Sequence, residues 1–204
     1  MSGKSIVIDG VGGQGVRVIG STMASLLTVM GYHVTLLFDY DSSVRGGMSE
    51  AFLKYDTEPV SNFVVECADV VVRLADRGPV HLTSDYVIAD LGLTKPGETG
   101  EEIPFLQLGV EKFGRDLFGN MIALGRLLCV CDVDFTDQHL ADALPKKYLE
   151  DNIAAIRYGY GMDRNSIKAI VAEQAASTFA SRYAEKVLSG TAPAEAVELA
   201  AARV

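Results

Sequence analysis

Glycines are concentrated near the start of the chain, in a segment whose spacing suits the binding of an anion. Gly10, Gly12 and Gly15 fit the G-x-G-x-x-G pattern of loops that hold the pyrophosphate of a dinucleotide. The first amide groups of the helix after such a loop carry partial positive charge, so a phosphate is stabilised there. Glycine also occurs in turns that only bring a strand and a helix close together. The sequence leaves both interpretations open.

Asp39 lies where a dinucleotide-binding protein places the carboxylate that bonds a ribose hydroxyl. It follows Gly15 by 24 residues and comes directly after the predicted strand 33–38. An NAD-dependent dehydrogenase is therefore one candidate function. No acid–base residue of a substrate domain can be identified, however, and Gly13 and Gln14 are unusual residues for the interior of such a loop. We therefore rank this candidate below the alternatives.

Arg45, Gly46 and Gly47 form a second short segment that could take part in binding. An arginine guanidinium binds phosphate or carboxylate through two parallel hydrogen bonds, so Arg45 could add a cation to an anion at the glycine loop. The same residues also suit a turn into the next strand, 50–55, whose alternating pattern predicts one exposed face. The turn is the simpler interpretation.

Strands and helices alternate along the chain and predict how these segments are positioned. The β-branched run 6–8 suits a buried strand, and apolar residues recur at helical spacing from Val16 onward. Further strands are predicted at 33–38, 50–55, 68–74, 86–90 and 103–108. Three further helices are predicted: one from residue 120, one that begins after an N-cap at Thr136, and one from residue 151 that ends at Gly159.

This order of elements predicts an α/β fold, a Rossmann-like, open and mostly parallel sheet with flanking helices. Residues 1–160 are assigned to this domain, and residues 161–204 to a helical C-terminal extension. The extension is alanine-rich, and we expect two helices in it, divided at 189–193.

Composition excludes several classes of function. The net charge of −9 argues against nucleic acid, because phosphate binding depends on clustered lysine and arginine. No run reaches the roughly 18 apolar residues of a membrane helix, and the start of the chain lacks an apolar signal region, so we expect a cytoplasmic protein without a membrane partner. Cys67, Cys129 and Cys131 have no metal-ligand spacing; we expect buried thiols and no zinc or iron–sulfur site in this chain.

Four segments in a fixed order resemble the gamma subunit, or gamma domain, of the 2-oxoacid:ferredoxin oxidoreductases. This family comprises the pyruvate, 2-oxoglutarate and indolepyruvate oxidoreductases, and the resemblance covers roughly residues 5 to 160. Either glycine motif alone is weak, but the two together at this separation are fairly specific. The segments are GGQGV at 12–16, RGGMS at 45–49, ADVVV at 68–72 and NMIALG at 120–125.

The resemblance implies a division of labour among subunits. Thiamine diphosphate lies in catalytic partner subunits, iron–sulfur clusters lie in a ferredoxin-like subunit that reduces ferredoxin, and coenzyme A accepts the acyl group. The gamma subunit, inactive alone, is expected to help assemble the complex and to hold coenzyme A. The cofactor-binding residues carried over from the motifs are Gly12, Gly13, Gln14, Gly15, Arg45, Gly46 and Gly47.

Two further expectations concern assembly. A non-catalytic scaffold, whose glycine loop only packs against partner subunits, is the main alternative to a coenzyme A site. The apolar-rich chain is also expected to expose a patch that a partner covers, so the isolated chain is expected to form a homodimer or another soluble oligomer.

Overall fold

The short apolar segments of the sequence form the strands of one sheet, and the longer periodic segments form helices. The computed structural model describes residues 3–40, 47–62, 64–76 and 83–188, with side chains as far as residue 177. The elements are β1 Lys4–Val11, α1 Val16–Val29, β2 His33–Tyr40, β3 Met48–Asp56, β4 Cys67–Arg73, β5 Thr83–Ala89, β6 Gly100–Glu102, α2 Phe105–Phe113, α3 Gly119–Val130, α4 Asp137–Ala143, α5 Leu149–Tyr160 and α6 Arg164–Leu188.

The six described strands form one sheet in the order β2-β3-β1-β4-β5-β6. Parallel pairing joins β1, β4, β5 and β6, whereas β3 lies antiparallel between β1 and β2. Five strands therefore run in one direction, and the predicted open, mostly parallel α/β sheet is confirmed. Successive strands lie on opposite sides of β1, so the carboxyl end of β1 opens the kind of crevice where α/β proteins bind ligands.

The two faces of the sheet are covered differently. On one face, buried residues such as Ile6, Ile8 and Val72 share a core with the inner sides of α1, α3 and α5. On the other face, Val7 and Val71 pack with Val65 and Leu93 from coil segments, and no helical residue among those described joins that cluster.

Glycines allow the helices α3 and α5 to pack in close contact. A Cβ atom on Gly125 would lie 1.9 Å from the backbone oxygen of Ile156, and one on Gly159 would lie 2.0 Å from that of Ile122. The prediction that Gly159 ends its helix is therefore wrong. Gly159 lies within α5, which continues to Tyr160, and its lack of a side chain serves packing rather than termination.

The predicted strand 103–108 is also wrong, because helix α2 begins at Phe105. Phe105 and Leu108 are one helical turn apart and both are buried, and Pro104 precedes the helix, where its missing N–H is not needed. The last strand, β6, lies instead in the segment predicted as a loop. Gly100 makes this pairing possible, since a Cβ there would lie 2.0 Å from the oxygen of Val87.

Several smaller expectations can be checked as well. The N-cap at Thr136 is confirmed, because its hydroxyl accepts a hydrogen bond from the N–H of His139. The extension is helical to residue 188, and the division at 189–193 lies outside the described residues. Burial of the thiols holds for Cys131 but is wrong for Cys67, which is exposed near the start of β4. None of the described helices is long and apolar enough to cross a membrane.

Candidate functional site

The glycine loop joins the carboxyl end of β1 to the start of α1. Gly13 and Gly15 have φ angles of 98° and 84°, a left-handed conformation that side chains other than glycine rarely adopt. Gly12 and Gly13 are exposed. Within the described part of the chain, no acceptor is bonded to the N–H of Gly13 or Gly15. The loop therefore presents free amide donors at a helix N-terminus, as an anion site requires.

Gln14 fixes the shape of this loop through its side-chain amide. Its Oε1 accepts a hydrogen bond from the N–H of Val11 at 2.8 Å, and its Nε2 donates to the oxygen of Leu74 at 2.9 Å. Gln14 thus ties the loop to the end of the neighbouring strand β4. The oxygen and the nitrogen of this amide both form hydrogen bonds within the chain, so Gln14 positions the loop rather than offering these atoms to a ligand.

The two glycine segments predicted from sequence are in contact. The N–H of Gly12 donates to the oxygen of Gly47 at 3.0 Å, just before β3 begins. This bond brings the second segment to the side of the first loop. Arg45 and Gly46, the other predicted residues of the second segment, lie outside the described residues.

Asn120, at the start of α3, packs directly against the glycine loop. A Cβ on Gly15 would lie 2.1 Å from Nδ2 of Asn120, so only glycine permits this approach. Asn120 is half-buried, and its side-chain amide has no hydrogen-bond partner in the described part of the chain. This amide is therefore available to a ligand at the loop. Asn120 lies in the fourth segment of the family resemblance but was not among the predicted site residues.

A cleft begins at Asn120 and runs along the outer side of α1. Its inner part has a volume of about 170 Å³ and is lined by Val18 and Thr22 of α1 and by Tyr148 and Asn152 at the start of α5. An adjoining groove of about 410 Å³ shares Val18 and Thr22 and extends along the helix. Together they form a continuous depression leading away from the loop.

Cationic side chains gather around this cleft although the chain as a whole is acidic. Arg17, in the first turn of α1, lines the groove. Arg115 and Lys147 each lie 5.1 Å from the ring centroid of Tyr148, and Nη1 of Arg115 donates to the Tyr148 hydroxyl at 2.8 Å. These cations and the helix N-terminus would act together on an anionic ligand.

A row of ionisable residues crosses the sheet directly behind the glycine loop. Strand register pairs Asp39 of β2 with Glu50 of β3, Glu50 with Asp9 of β1, and Asp9 with Arg73 of β4. Asp9 and Glu50 are only 2% and 3% exposed. Among the residues that the structure describes, no hydrogen-bond partner is present for Oδ1 of Asp9, Oε1 of Glu50 or Nε of Arg73. These are the buried polar side-chain atoms of the described chain that most need an explanation.

The charges of this row are only partly balanced. Arg73 makes two hydrogen bonds to Glu98, at 2.6 and 2.8 Å, whereas its Nε lies 3.7 Å from Oδ2 of Asp9, too far for a hydrogen bond. Burial raises the pKa of Asp9 to about 7, although Arg73 opposes the shift. Burial and the neighbouring Asp39 also raise the pKa of Glu50. The carboxyl groups of Asp9 and Glu50 therefore both resist ionisation.

Another cavity lies far from the glycine loop. It has a volume of about 550 Å³ and lies between β6, at the opposite edge of the sheet from β2, and helix α6. Ile167 and Val171 of α6 line it together with Tyr86. Among the described residues, no group of three or more histidine, cysteine, aspartate or glutamate side chains is arranged to hold a metal ion.

One protein family matches most of the chain. The model of the pyruvate ferredoxin/flavodoxin oxidoreductase family matches residues 5–162, which include the glycine loop, the whole sheet and α3. The chain belongs to this family. The predicted gamma-type subunit of a 2-oxoacid:ferredoxin oxidoreductase is thereby confirmed, and the chain is part of an enzyme.

Individual members of the oxidoreductase family show the same relationship. A 2-oxoglutarate synthase subunit, KorC, of Archaeoglobus fulgidus is 28% identical over 169 residues, 80% of this chain and 90% of KorC. The keto/oxoacid ferredoxin oxidoreductase gamma subunit of Geobacter sulfurreducens is 22% identical with a TM-score of 0.64, over 78% of this chain and 95% of that chain. The 2-oxoglutarate:ferredoxin oxidoreductase of Magnetococcus marinus, solved with 2-oxoglutarate, coenzyme A and succinyl-CoA bound, is 18% identical with a TM-score of 0.63, over 85% of this chain and 32% of that chain. Both solved structures share the fold of this oxidoreductase subunit.

In this oxidoreductase subunit the predicted residues of the first loop and Gly47 lie together, whereas no hydrogen bond among the described residues joins Asp39 to them. Asp39 is exposed at the end of β2, and its Oδ1 accepts a hydrogen bond from the N–H of Tyr40. Sequence reasoning missed Asn120 and the buried pair Asp9 and Glu50. The sequence could have indicated Asn120, because it begins the NMIALG segment of the family resemblance. The carboxyl pair depends on strand register, which no local sequence pattern shows.

Proposed function

We propose that this gamma-type subunit holds coenzyme A at the glycine loop, and that partner subunits carry the thiamine diphosphate and the iron–sulfur clusters. The observation that supports the proposal most directly is the exposed glycine loop before α1, where the N–H groups of Gly13 and Gly15 have no acceptor among the described residues. Coenzyme A carries a pyrophosphate and a ribose phosphate, and such groups are stabilised by helix N-termini. The relative from Magnetococcus marinus was solved with coenzyme A bound, which agrees with this choice.

Different residues around the loop would bind different groups of coenzyme A. The N–H groups of Gly13 and Gly15 would donate hydrogen bonds to one phosphate, and the side-chain amide of Asn120, which has no partner among the described residues, would bond a polar group beside it. Arg17 would neutralise a further charge along the groove. Arg45 is predicted from the sequence to add a charge-assisted bond to the same ligand. Coenzyme A supplies the thiol that takes up the acyl group, so this chain would contribute binding and orientation.

The proposed partners are the thiamine-binding catalytic subunits, a ferredoxin-like subunit and ferredoxin itself, and the proposed location is the cytoplasm. This chain matches only 32% of the Magnetococcus marinus chain, which supports the view that the gamma unit works beside other domains. The 2-oxoacid itself would be bound by the catalytic subunits. The domain boundary near residue 160 remains a prediction.

A matched pair of glycine variants in the assembled enzyme tests the coenzyme A site. A Cβ on Gly13 or on Gly31 meets no atom within 4 Å, and both residues have positive φ, so valine imposes similar backbone strain at each position. Only at Gly13 does the new side chain enter the space of the proposed ligand. We expect Gly13→Val to raise the KM for coenzyme A about tenfold or more, a loss of ~1.4 kcal/mol or more, and Gly31→Val to leave it unchanged.

A third variant and a second readout complete the test. Arg45→Ala is expected to weaken the apparent affinity for coenzyme A by about tenfold, because a charge-assisted hydrogen bond contributes ~1.5–3 kcal/mol. Decarboxylation of the 2-oxoacid measured without coenzyme A should survive all three changes. Equal effects of the two glycine variants on the KM for coenzyme A would contradict the proposal. If the loop variants instead prevent assembly and leave that KM unchanged, the glycine loop is a scaffold contact.

Calorimetry on the isolated chain distinguishes the dehydrogenase alternative. An NAD-binding protein would bind NADH and lose that binding with Asp39→Ala, because the ribose contact is removed. We expect no NADH binding and no change in the KM of the assembled enzyme for coenzyme A. The isolated chain is also expected to show no turnover with any 2-oxoacid.

A further inference from the structure

Strand β2 forms one edge of the sheet and leaves its outer side unpaired. It is eight residues long and is bonded only to β3 among the described strands. Three of its apolar side chains are unusually accessible: Leu37 is 47% exposed, Phe38 37% and Tyr40 56%. An edge with free N–H and C=O groups and apolar side chains is a template for pairing with another strand.

The sequence of β2 lacks the features that normally protect such an edge. The strand reads HVTLLFDY, with neither lysine nor proline. Its pairing with β3 runs without interruption from His33 opposite Asp56 to Tyr40 opposite Ser49, so no bulge turns the edge away. An edge of this length and composition would favour aggregation if it stayed free in the working protein.

The carboxyl end of β2 also lies at the end of a row of three carboxyl groups. Asp39 is exposed at the edge, and behind it lie Glu50 and Asp9 in register across the sheet. The nearest cation in this row, Arg73, is already bonded twice to Glu98. One oxygen each of Asp9 and Glu50 has no hydrogen-bond partner. A cation brought to Asp39 would stabilise the row.

We propose that the free edge of β2 pairs with an extended segment of the catalytic partner subunit that carries a lysine or arginine opposite Asp39. The proposal rests on the function proposed above, in which the chain works within a complex. Backbone hydrogen bonds to β2 would supply affinity, and Leu37 and the Asp39 carboxylate would select the register. A second copy of this chain is the less suitable occupant, because two chains of charge −9 repel each other and β2 itself offers no lysine or arginine to Asp39.

Two substitutions on the exposed side of β2 test the proposal. Leu37→Lys introduces the charge with which natural edge strands prevent pairing. Asp39→Lys reverses the charge at the row, and since it brings a cation beside Glu50 it should not destabilise the chain itself. The matched controls are Val110→Lys on α2, where the valine is 53% exposed, and Asp151→Lys on α5, where the aspartate is exposed.

The measurement is the dissociation constant for this chain and its co-expressed catalytic subunits, obtained by diluting the assembled complex. We expect Leu37→Lys and Asp39→Lys to weaken assembly at least about tenfold, and the two controls to assemble like the wild type. Salt should weaken assembly of the wild type more than that of Asp39→Lys, because the proposed ion pair is screened. Circular dichroism on each isolated variant would establish that its fold is intact.

The outcomes separate this inference from the function on which it rests. If the wild-type chain does not join the catalytic subunits at all, the function proposed above fails. If the wild type assembles and both β2 variants assemble equally well, only the edge proposal is wrong. If Leu37→Lys dissociates a homodimer of the isolated chain but leaves the complex unaffected, the edge of β2 pairs with a second copy of the chain. That result also overturns the proposal.

Discussion

Replacing the buried Asp9 by asparagine should stabilise the protein at alkaline pH. Asp9 is 2% exposed, its Oδ1 has no hydrogen-bond partner, and its contact with Arg73 is 3.7 Å long. Burial raises its pKa from an ordinary value of 3.8 to about 7. The folded state therefore holds a proton that the unfolded state releases between these two pH values. The contribution of Asp9 to the free energy of unfolding is therefore fully present below pH 3.8, decreases as the pH rises, and is lost above about pH 7.

The size of the effect follows from the difference between the two pKa values. A difference of about 3 corresponds to about 4 kcal/mol, because each pKa unit is worth ~1.36 kcal/mol. Relative to the wild type, Asp9→Asn should therefore gain about 4 kcal/mol in free energy of unfolding at pH 8 and only about 1 kcal/mol near pH 4.5. Losing the long contact to Arg73 should offset little of this gain, since that guanidinium keeps both hydrogen bonds to Glu98.

Urea unfolding of the isolated chain at several pH values would measure this difference. Glu50, whose pKa burial also raises, is present in both proteins, so the comparison isolates Asp9. Asp85→Asn provides the control, because it makes the same substitution at an exposed position on β5. If Asp9→Asn lowers stability at pH 8, the attraction between the ionised carboxylate and Arg73 outweighs the cost of burying that charge. That result would refute the reasoning.

Three further predictions concern packing, the loop and the thiols. Gly125→Ala should lower the free energy of unfolding by ~1–3 kcal/mol, because a Cβ there would overlap the backbone of α5. Gly161→Ala should cost less in the same urea titration, because a Cβ at Gly161 would stop 3.3 Å from the nearest backbone oxygen, a tight contact but not an overlap. Gln14→Leu should cost ~1–3 kcal/mol by leaving the partly buried N–H of Val11 and oxygen of Leu74 without partners, with faster amide exchange in the loop. Iodoacetamide should label the exposed Cys67 readily and Cys131 hardly at all, since burial raises the Cys131 thiol pKa to about 12; mass spectrometry would reveal any reversal.

The sequence predicted the elements in which local pattern and tertiary environment agree. The β-branched run at 6–8, the glycines after it and the helical spacing from Val16 predict a strand, a loop and a helix without knowledge of any neighbour. The N-cap at Thr136 is equally local, because the capping bonds join residues three apart. The combination of two glycine motifs was specific enough to indicate the family.

Predictions failed where a neighbour distant in sequence decides the structure. Residues 103–108 are short and apolar, and such a run suits either a strand or a helix; burial of Phe105 and Leu108 on one helical side selects the helix. Gly159 resembles a helix terminator, yet it is needed inside α5 because the backbone of α3 lies against it.

Tertiary structure alone decided how the site is built and how its charges are arranged. Asn120 reaches the glycine loop only because α3 packs beside it, and Asp39, Glu50 and Asp9 form one row only because β3 lies antiparallel between β2 and β1. Side chains on adjacent strands become neighbours through hydrogen-bond register, and a shift of one residue would turn them to opposite faces. Local sequence specifies which residues can form a strand, whereas pairing with distant strands determines which charges meet.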